Sequence, residues 1–272
     1  MNNLELLKWQ MDMGADEALE SSPVNNFHKT KPAASIEPEI NLEDSMPKHT
    51  NSPSVSPPVS VNNTINIMNP RDAIKHAREL ADRCNTLEEL RDAIKNFDGC
   101  SIKKTATNTV FSDGNPQAKI MFIGEAPGAQ EDIEGIPFCG QSGKLLDTML
   151  KWIGLTRKEN FYISNTIFWR PPGNRKPTPE ETDICRPFVE KHIALINPKI
   201  LVLVGSTATT SLLNNKTGIT KLRGNYFEYS NVYLKSPIPV GVIFHPSYLL
   251  RSPGQKRFAW HDLLDLKHKF GL

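Results

Sequence analysis

The chain has 272 residues, 38% of them hydrophobic and 23% charged, with a formal net charge of +2; these are globular proportions and exclude a fibrous or wholly disordered chain. No apolar run reaches the length a membrane helix needs, and the start, MNNLELLKWQMDMG, lacks the basic and apolar regions of a secretory leader, so a cytoplasmic protein is expected. Four scattered cysteines, Cys84, Cys100, Cys139 and Cys185, form no CxxC pair, which argues against a disulfide framework or a zinc finger.

Leu4, Leu7, Met11 and Ala18 recur at helical spacing, so a short amphipathic helix is expected over 1–20. It would either tether a partner or dock on its own domain. Residues 21–68 are rich in Pro, Ser, Asn and Thr and read as a disordered linker. The charge is uneven: residues 1–69 carry 4 Lys/Arg against 9 Asp/Glu, and the rest 28 against 21. A basic body behind an acidic leader suits a polyanionic partner, weakly.

The domain proper is expected over 69–272, with a helical lead-in over 69–97. Asn69-Pro70 forms an N-cap and first-turn pair, and Ile74, Ala77, Ala81 and Cys84 share a helix face. Thr86 and Glu89 make a capping box before Leu87, Leu90, Ile94 and Phe97, and Asp98-Gly99 ends the stripe. From there strands and helices alternate. The strands are Lys119–Ile123, Phe161–Asn165, Ile200–Val204 and Val240–Phe244. Helices are expected through Leu145–Ile153, from the Thr178/Glu181 capping box to Ile196, through STATTSLL, and from Ser252-Pro253 to the end. This alternation predicts an α/β fold: a three-layer α/β/α sandwich around a mostly parallel sheet of about four strands.

In such sheets ligands bind beyond the carboxyl ends of the strands. The four strands run into Gly124-Glu125-Ala126, Asn165, Gly205-Ser206 and His245-Pro246-Ser247. Parallel strands would therefore bring a carboxylate, an amide and an imidazole to one rim. Alone, each piece is an ordinary turn, cap or buried histidine; their joint position at successive strand ends is what points to a site. Two basic loops fall on the same rim. WRPPGNRKP carries Arg170 and Arg175, and HPSYLLRSPGQKR carries Arg251. With the hydroxyls of Ser206 and Ser247, they are the groups that phosphate contacts use. Leu249 and Leu250 are apolar residues in a polar loop, suited to wedge into a base stack; one of the two is expected to pack beneath the last helix instead.

The segments GEAPGAQEDIEGIPFCGQSGKLLDTML, NTIFWRPPGNRKPTPEE, ICRPFVEKHIALINPKILVLVG and HPSYLLR together resemble the family-four, thermophile-type uracil-DNA glycosylases over Phe97–Leu272. The resemblance implies hydrolysis of the N-glycosidic bond of uracil in DNA, leaving an abasic site for base excision repair. It implies that Gly124 and Ala126 approach the base and sugar and that Glu125 places or activates water. Phe138 would stack on the flipped base. Asn165 would read the uracil edge that differs from cytosine, and His245 would donate to a uracil oxygen. Glu131, Asp132 and Asn174 would support the site; Glu125 is preferred as the water-binding carboxylate because it directly follows its strand. Uracil-containing DNA is the implied partner, and a monomer is expected.

Family members commonly hold a [4Fe-4S] cluster on four cysteines. In this sequence the first and fourth positions match Cys100 and Cys185, but Lys103 and Trp169 occupy the second and third. Two thiolates are not four, so no intact cluster is expected, and packing of Trp169 is expected to replace it. A non-catalytic DNA-binding or polymerase-associated module would not need Glu125, Asn165 and His245 together. A glycosylase for other deaminated bases stays open. A variant that traps DNA through a loop histidine is disfavoured, because Arg223–Ser230 contains none.

Overall fold

The computed structural model describes residues 68–271; the helix expected over 1–20 and, but for Met68, the linker expected over 21–68 lie outside the described residues. The lead-in helices form where their caps predict. Helix α1, Pro70–Arg83, is capped by the Asn69 side chain and buries Ala73, Ala77 and Ala81. Helix α2, Leu87–Asn96, starts on the Thr86/Glu89 capping box and buries Leu90 and Ile94.

The sheet has six strands: β1 (Asp113–Gly114), β2 (Ile120–Gly124), β3 (Phe161–Asn165), β4 (Ile200–Val204), β5 (Tyr226–Tyr229) and β6 (Ile238–Ile243). Their order is β1-β3-β2-β4-β6-β5. The four inner strands are parallel, as expected, with Gly124 level with Asn165 and Val204 level with Ile243. The expectation of about four strands is corrected to six by two antiparallel edges, β1 on β3 and β5 on β6. One edge is only two residues long and the other only four, too short to carry a pattern of their own.

Alternate residues of each inner strand face opposite layers. Met121, Ile123, Leu201, Leu203, Val240 and Val242 join a core with α1, α2 and helix α5, Pro179–Ile196. Ile120, Phe122, Phe161, Ile163, Val202 and Val204 face a second core, with helices α4 (Gln141–Trp152) and α9 (Lys256–Phe270). This is the expected α/β/α sandwich. The chain leaves β2 for β3 on one side, then returns past it to β4 on the other. The crevice beyond the ends of β2 and β4 is thus the topological switch point, where open α/β sheets bind ligands.

Two short helices differ from the sequence reading. Helix α3, Ala129–Glu134, follows the GEAPG turn. HPSYLLR is not a loop: α8, Pro246–Arg251, is capped by the His245 side chain. The remaining helices, α6 (Ser206–Leu213) and α7 (Ile219–Leu222), follow β4. The last helix opens at Lys256, after a single 3-10 turn over Pro253–Gln255.

Candidate active site

A cleft of about 820 Å³ opens at the switch point, and Glu125, Phe138, Asn165, Ser206 and His245 all line it. The three residues taken from the ends of β2, β3 and β6 therefore meet at one rim. Ala126, Glu131, Asn174, Arg175, Ser247, Leu250 and Arg251 line it too.

Glu125 is positioned by the loops around it. Gly124 O accepts from Thr166 N–H at 2.9 Å, and Glu125 O accepts from Ile167 N–H at 3.2 Å and from Thr166 Oγ1 at 2.7 Å. Its carboxylate Oε2 accepts from Thr207 Oγ1 in the first turn of α6. The two neighbouring acids are otherwise engaged. Glu131 accepts from Gly128 N–H at 3.1 Å and Gly140 N–H at 2.9 Å, closing the loop on itself. Asp132 is buried and accepts from the amides of Thr107 and Asn108 at 2.8 and 3.0 Å. Of the three carboxylates, Glu125 is the one to which no backbone amide of the described residues donates.

Asn165 is 2% exposed, and its Oδ1 has no hydrogen-bond partner among the described residues. A buried acceptor left unmet costs about 1–3 kcal/mol. Gly124 makes room for it: a β-carbon there would lie 2.6 Å from Asn165 Oδ1 and 2.3 Å from the Phe138 ring. The Phe138 ring is tilted against His245, with centroids 5.7 Å apart.

His245 Nδ1 accepts from Ser247 N–H at 3.2 Å and lies 2.8 Å from Ser247 Oγ. A ring accepting at Nδ1 carries its proton on Nε2 when neutral. Burial, with a smaller contribution from Arg251, lowers the His245 pKa to about 4. The imidazole is thus a neutral donor at neutral pH.

The basic rim is built by pairing. Arg170 Nε donates to Asn174 Oδ1 at 2.7 Å. Arg175 is held by Glu181 through contacts of 2.8 and 2.6 Å. The two leucines separate as expected: Leu250 is 41% exposed, whereas Leu249 is fully buried. Leu249 as a DNA contact is therefore corrected. The turn of α8 points it into the core shared with Trp260 and Leu263. Thr207 was not singled out in the sequence; its only signal is a hydroxyl early in the helix after β4.

The Uracil DNA glycosylase superfamily model matches residues 111–264. Type-4 uracil-DNA glycosylase of Thermotoga maritima is 41% identical over 167 residues, covering 61% of this chain and 84% of that protein. Type-4 uracil-DNA glycosylase of Sulfurisphaera tokodaii is 34% identical, covering 67% and 84%. The chain belongs to the type-4 uracil-DNA glycosylases. Similarity also extends, at 27% identity, to a DNA polymerase of Bacillus phage SP01, of which only 17% is matched. No described helix of this type-4 chain is long and apolar enough to cross a membrane.

The corner where the type-4 resemblance implies a cluster has a different donor set. Cys100 and Cys185 are both fully buried. The interaction between the two thiols draws the Cys100 pKa down and, with burial, pushes that of Cys185 up. Lys103 Nζ instead pairs with Asp98 at 2.7 Å. Trp169 is 1% exposed, donates from Nε1 to Thr109 Oγ1 at 3.0 Å, and meets Phe168 edge to face. Among the described residues no group of three or more His, Cys, Asp or Glu side chains is poised for a metal. An indole and an ammonium cannot supply the two missing thiolates, so these residues do not fit a four-cysteine cluster.

Proposed function

We infer that this chain is a monofunctional uracil-DNA glycosylase that hydrolyses the N-glycosidic bond of uracil in DNA and leaves an abasic site for base excision repair. The observation that carries the reading of the site is the unpartnered Asn165 Oδ1, buried in the cleft lined by Glu125, Phe138 and His245.

A base within a duplex is out of reach, so the nucleotide turns out of the stack into the cleft, at a cost of a few kcal/mol. Phe138 offers the face on which the base stacks. Asn165 Oδ1 accepts from uracil N3–H while its amide NH₂ faces O4. Cytosine has an acceptor at N3 and a donor at C4, so both contacts would oppose like with like. A buried polar mismatch of this kind discriminates more strongly than pocket shape. As the glycosidic bond breaks, the electron pair moves onto the base and the sugar becomes cation-like. Neutral His245 donates from Nε2 to the uracil oxygen on which charge grows; a preorganised donor of this type contributes about 3–4 kcal/mol. Glu125, steadied by Thr207, orients the attacking water and offsets the charge of the sugar. The hydroxyls of Ser206 and Ser247 and the side chains of Arg170, Arg175 and Arg251 meet the phosphates, and Leu250 fills the gap left in the stack.

We further propose that this chain carries no [4Fe-4S] cluster, that Trp169 packs in its stead, and that the protein is a cytoplasmic monomer. One pocket takes one nucleotide without a symmetry mate. The test of function is a uracil-containing oligonucleotide treated with protein and then alkali. Cleavage only at uracil is expected; binding without cleavage would leave a DNA-binding module. Stoichiometric iron and acid-labile sulfide in anaerobically purified protein would overturn the cluster-free reading.

A further inference from the structure

Phe138 holds a backbone conformation that a side chain of its type seldom takes, with φ at +53°. Such a residue is strained and keeps its shape only when its surroundings enforce it. The surroundings are specific. The Arg157 guanidinium donates from Nη1 to Pro137 O at 2.8 Å and from Nη2 to Phe138 O. The same side chain is anchored from behind. Its Nη1 also meets Asp113 Oδ2 on β1 at 2.9 Å, and its Nε meets the Asp147 carboxylate on α4 at 2.8 and 3.0 Å. On the other side, helix α4 runs so close that a β-carbon on Gly143 would fall 1.7 Å from Phe138 O. Arg157 itself is largely buried and does not line the cleft.

We propose that Arg157 is a positioning residue for uracil excision, a clamp that holds the Pro137-Phe138 backbone in its strained turn and so fixes the ring on which the base stacks. This rests on the reading of Phe138 as the stacking face. The guanidinium suits the task because its planar fork satisfies two successive carbonyls and two carboxylates at once, which a lysine ammonium cannot do. Without the clamp, the turn relaxes toward ordinary φ values and the ring leaves the base plane. Displacement of a positioning group by about 1 Å can cost on the order of 100-fold in rate.

The test is a double-mutant cycle on uracil-strand cleavage, with inhibition by free uracil as a second readout. The variants are Arg157→Lys, Arg157→Met, Phe138→Leu and the doubles. Arg157→Lys keeps a positive charge between Asp113 and Asp147, so it carries the cycle alone if circular dichroism shows Arg157→Met unfolded. In the wild-type background, Arg157→Lys is expected to lower kcat/KM by about 10- to 100-fold and to weaken inhibition by free uracil about tenfold. In the Phe138→Leu background the same change should cost less than about threefold, because the ring it aims is gone. An equal loss in both backgrounds, or lost turnover with free-uracil inhibition unchanged, overturns the proposal. A wild-type protein inert on the uracil strand overturns the functional reading, and the proposal with it; an active wild type failing the cycle overturns the proposal alone.

Discussion

Two regions of this domain treat polar groups in opposite ways. At the cleft, Asn165 Oδ1 is buried without a partner among the described residues, Phe138 is strained, and Gly124 keeps space open beside both. At the Cys100–Cys185 corner the groups are closed in: two buried thiols, the indole on Thr109, Lys103 on Asp98. The first region carries unmet demands that a substrate would answer. The second has settled its demands internally. Residues that pack well serve the fold, and residues kept uncomfortable serve the chemistry.

This contrast can be broken by mutation. Trp169→Ala should cost about 3–5 kcal/mol of stability, as for other large buried aromatic deletions, while activity per folded molecule stays near wild type. Urea denaturation followed by single-turnover cleavage would check it; unchanged stability would mean the indole is not the corner's support. Asn165→Ala and His245→Ala should act the other way. Each should lower cleavage by about 10²–10³-fold, and Asn165→Ala should leave the denaturation midpoint unchanged or raised, since it removes an unmet acceptor. If circular dichroism finds both variants unfolded, these residues are structural.

Acid sharpens the comparison next. Burial lowers His245 to about 4, and burial followed by the Arg91 charge lowers His192 to about 3, both from an ordinary 6.5. The unfolded chain takes up these protons below about pH 6.5, and the native chain only near the depressed values. The stabilisation is therefore complete above about pH 6.5 and is lost as pH falls toward 4 and 3, by a contribution on the order of 1–2 kcal/mol from each histidine by about pH 5. A urea midpoint no lower at pH 5 than at pH 7 would contradict it. The smallest effect belongs to Leu250→Ala. With the side chain 41% exposed, stability should be unchanged, and cleavage of duplex uracil should fall about tenfold or less, with little loss on single strands. Equal loss on both substrates would end its role as a wedge.

Much of this was legible in the sequence, because buried parallel strands write themselves as apolar runs and their polar ends mark the rim. Ile200–Val204 and Phe161–Asn165 form as read. Other elements left no local mark. Strand β1 is two residues long, and α8 begins on a histidine cap rather than Ser, Thr, Asp or Asn. Leu249 and Leu250 could be told apart only by the phase of that helix. Arg157 was invisible for a different reason. Its acceptors lie 10 to 44 residues away in sequence, and no spacing rule links them. Thr207 was hidden likewise, 82 residues from Glu125.

The strand order has a consequence for when this protein becomes active. The crevice needs β2, β3, β4 and the end of β6, and its imidazole arrives at residue 245 of 272. Pairings between such distant segments form late, because loop closure must precede them. A chain cut short before β6 would therefore hold the carboxylate and the amide of the proposed site but not its imidazole. With His245 in the proposed role, competence to break a glycosidic bond would arrive only once β6 is in place.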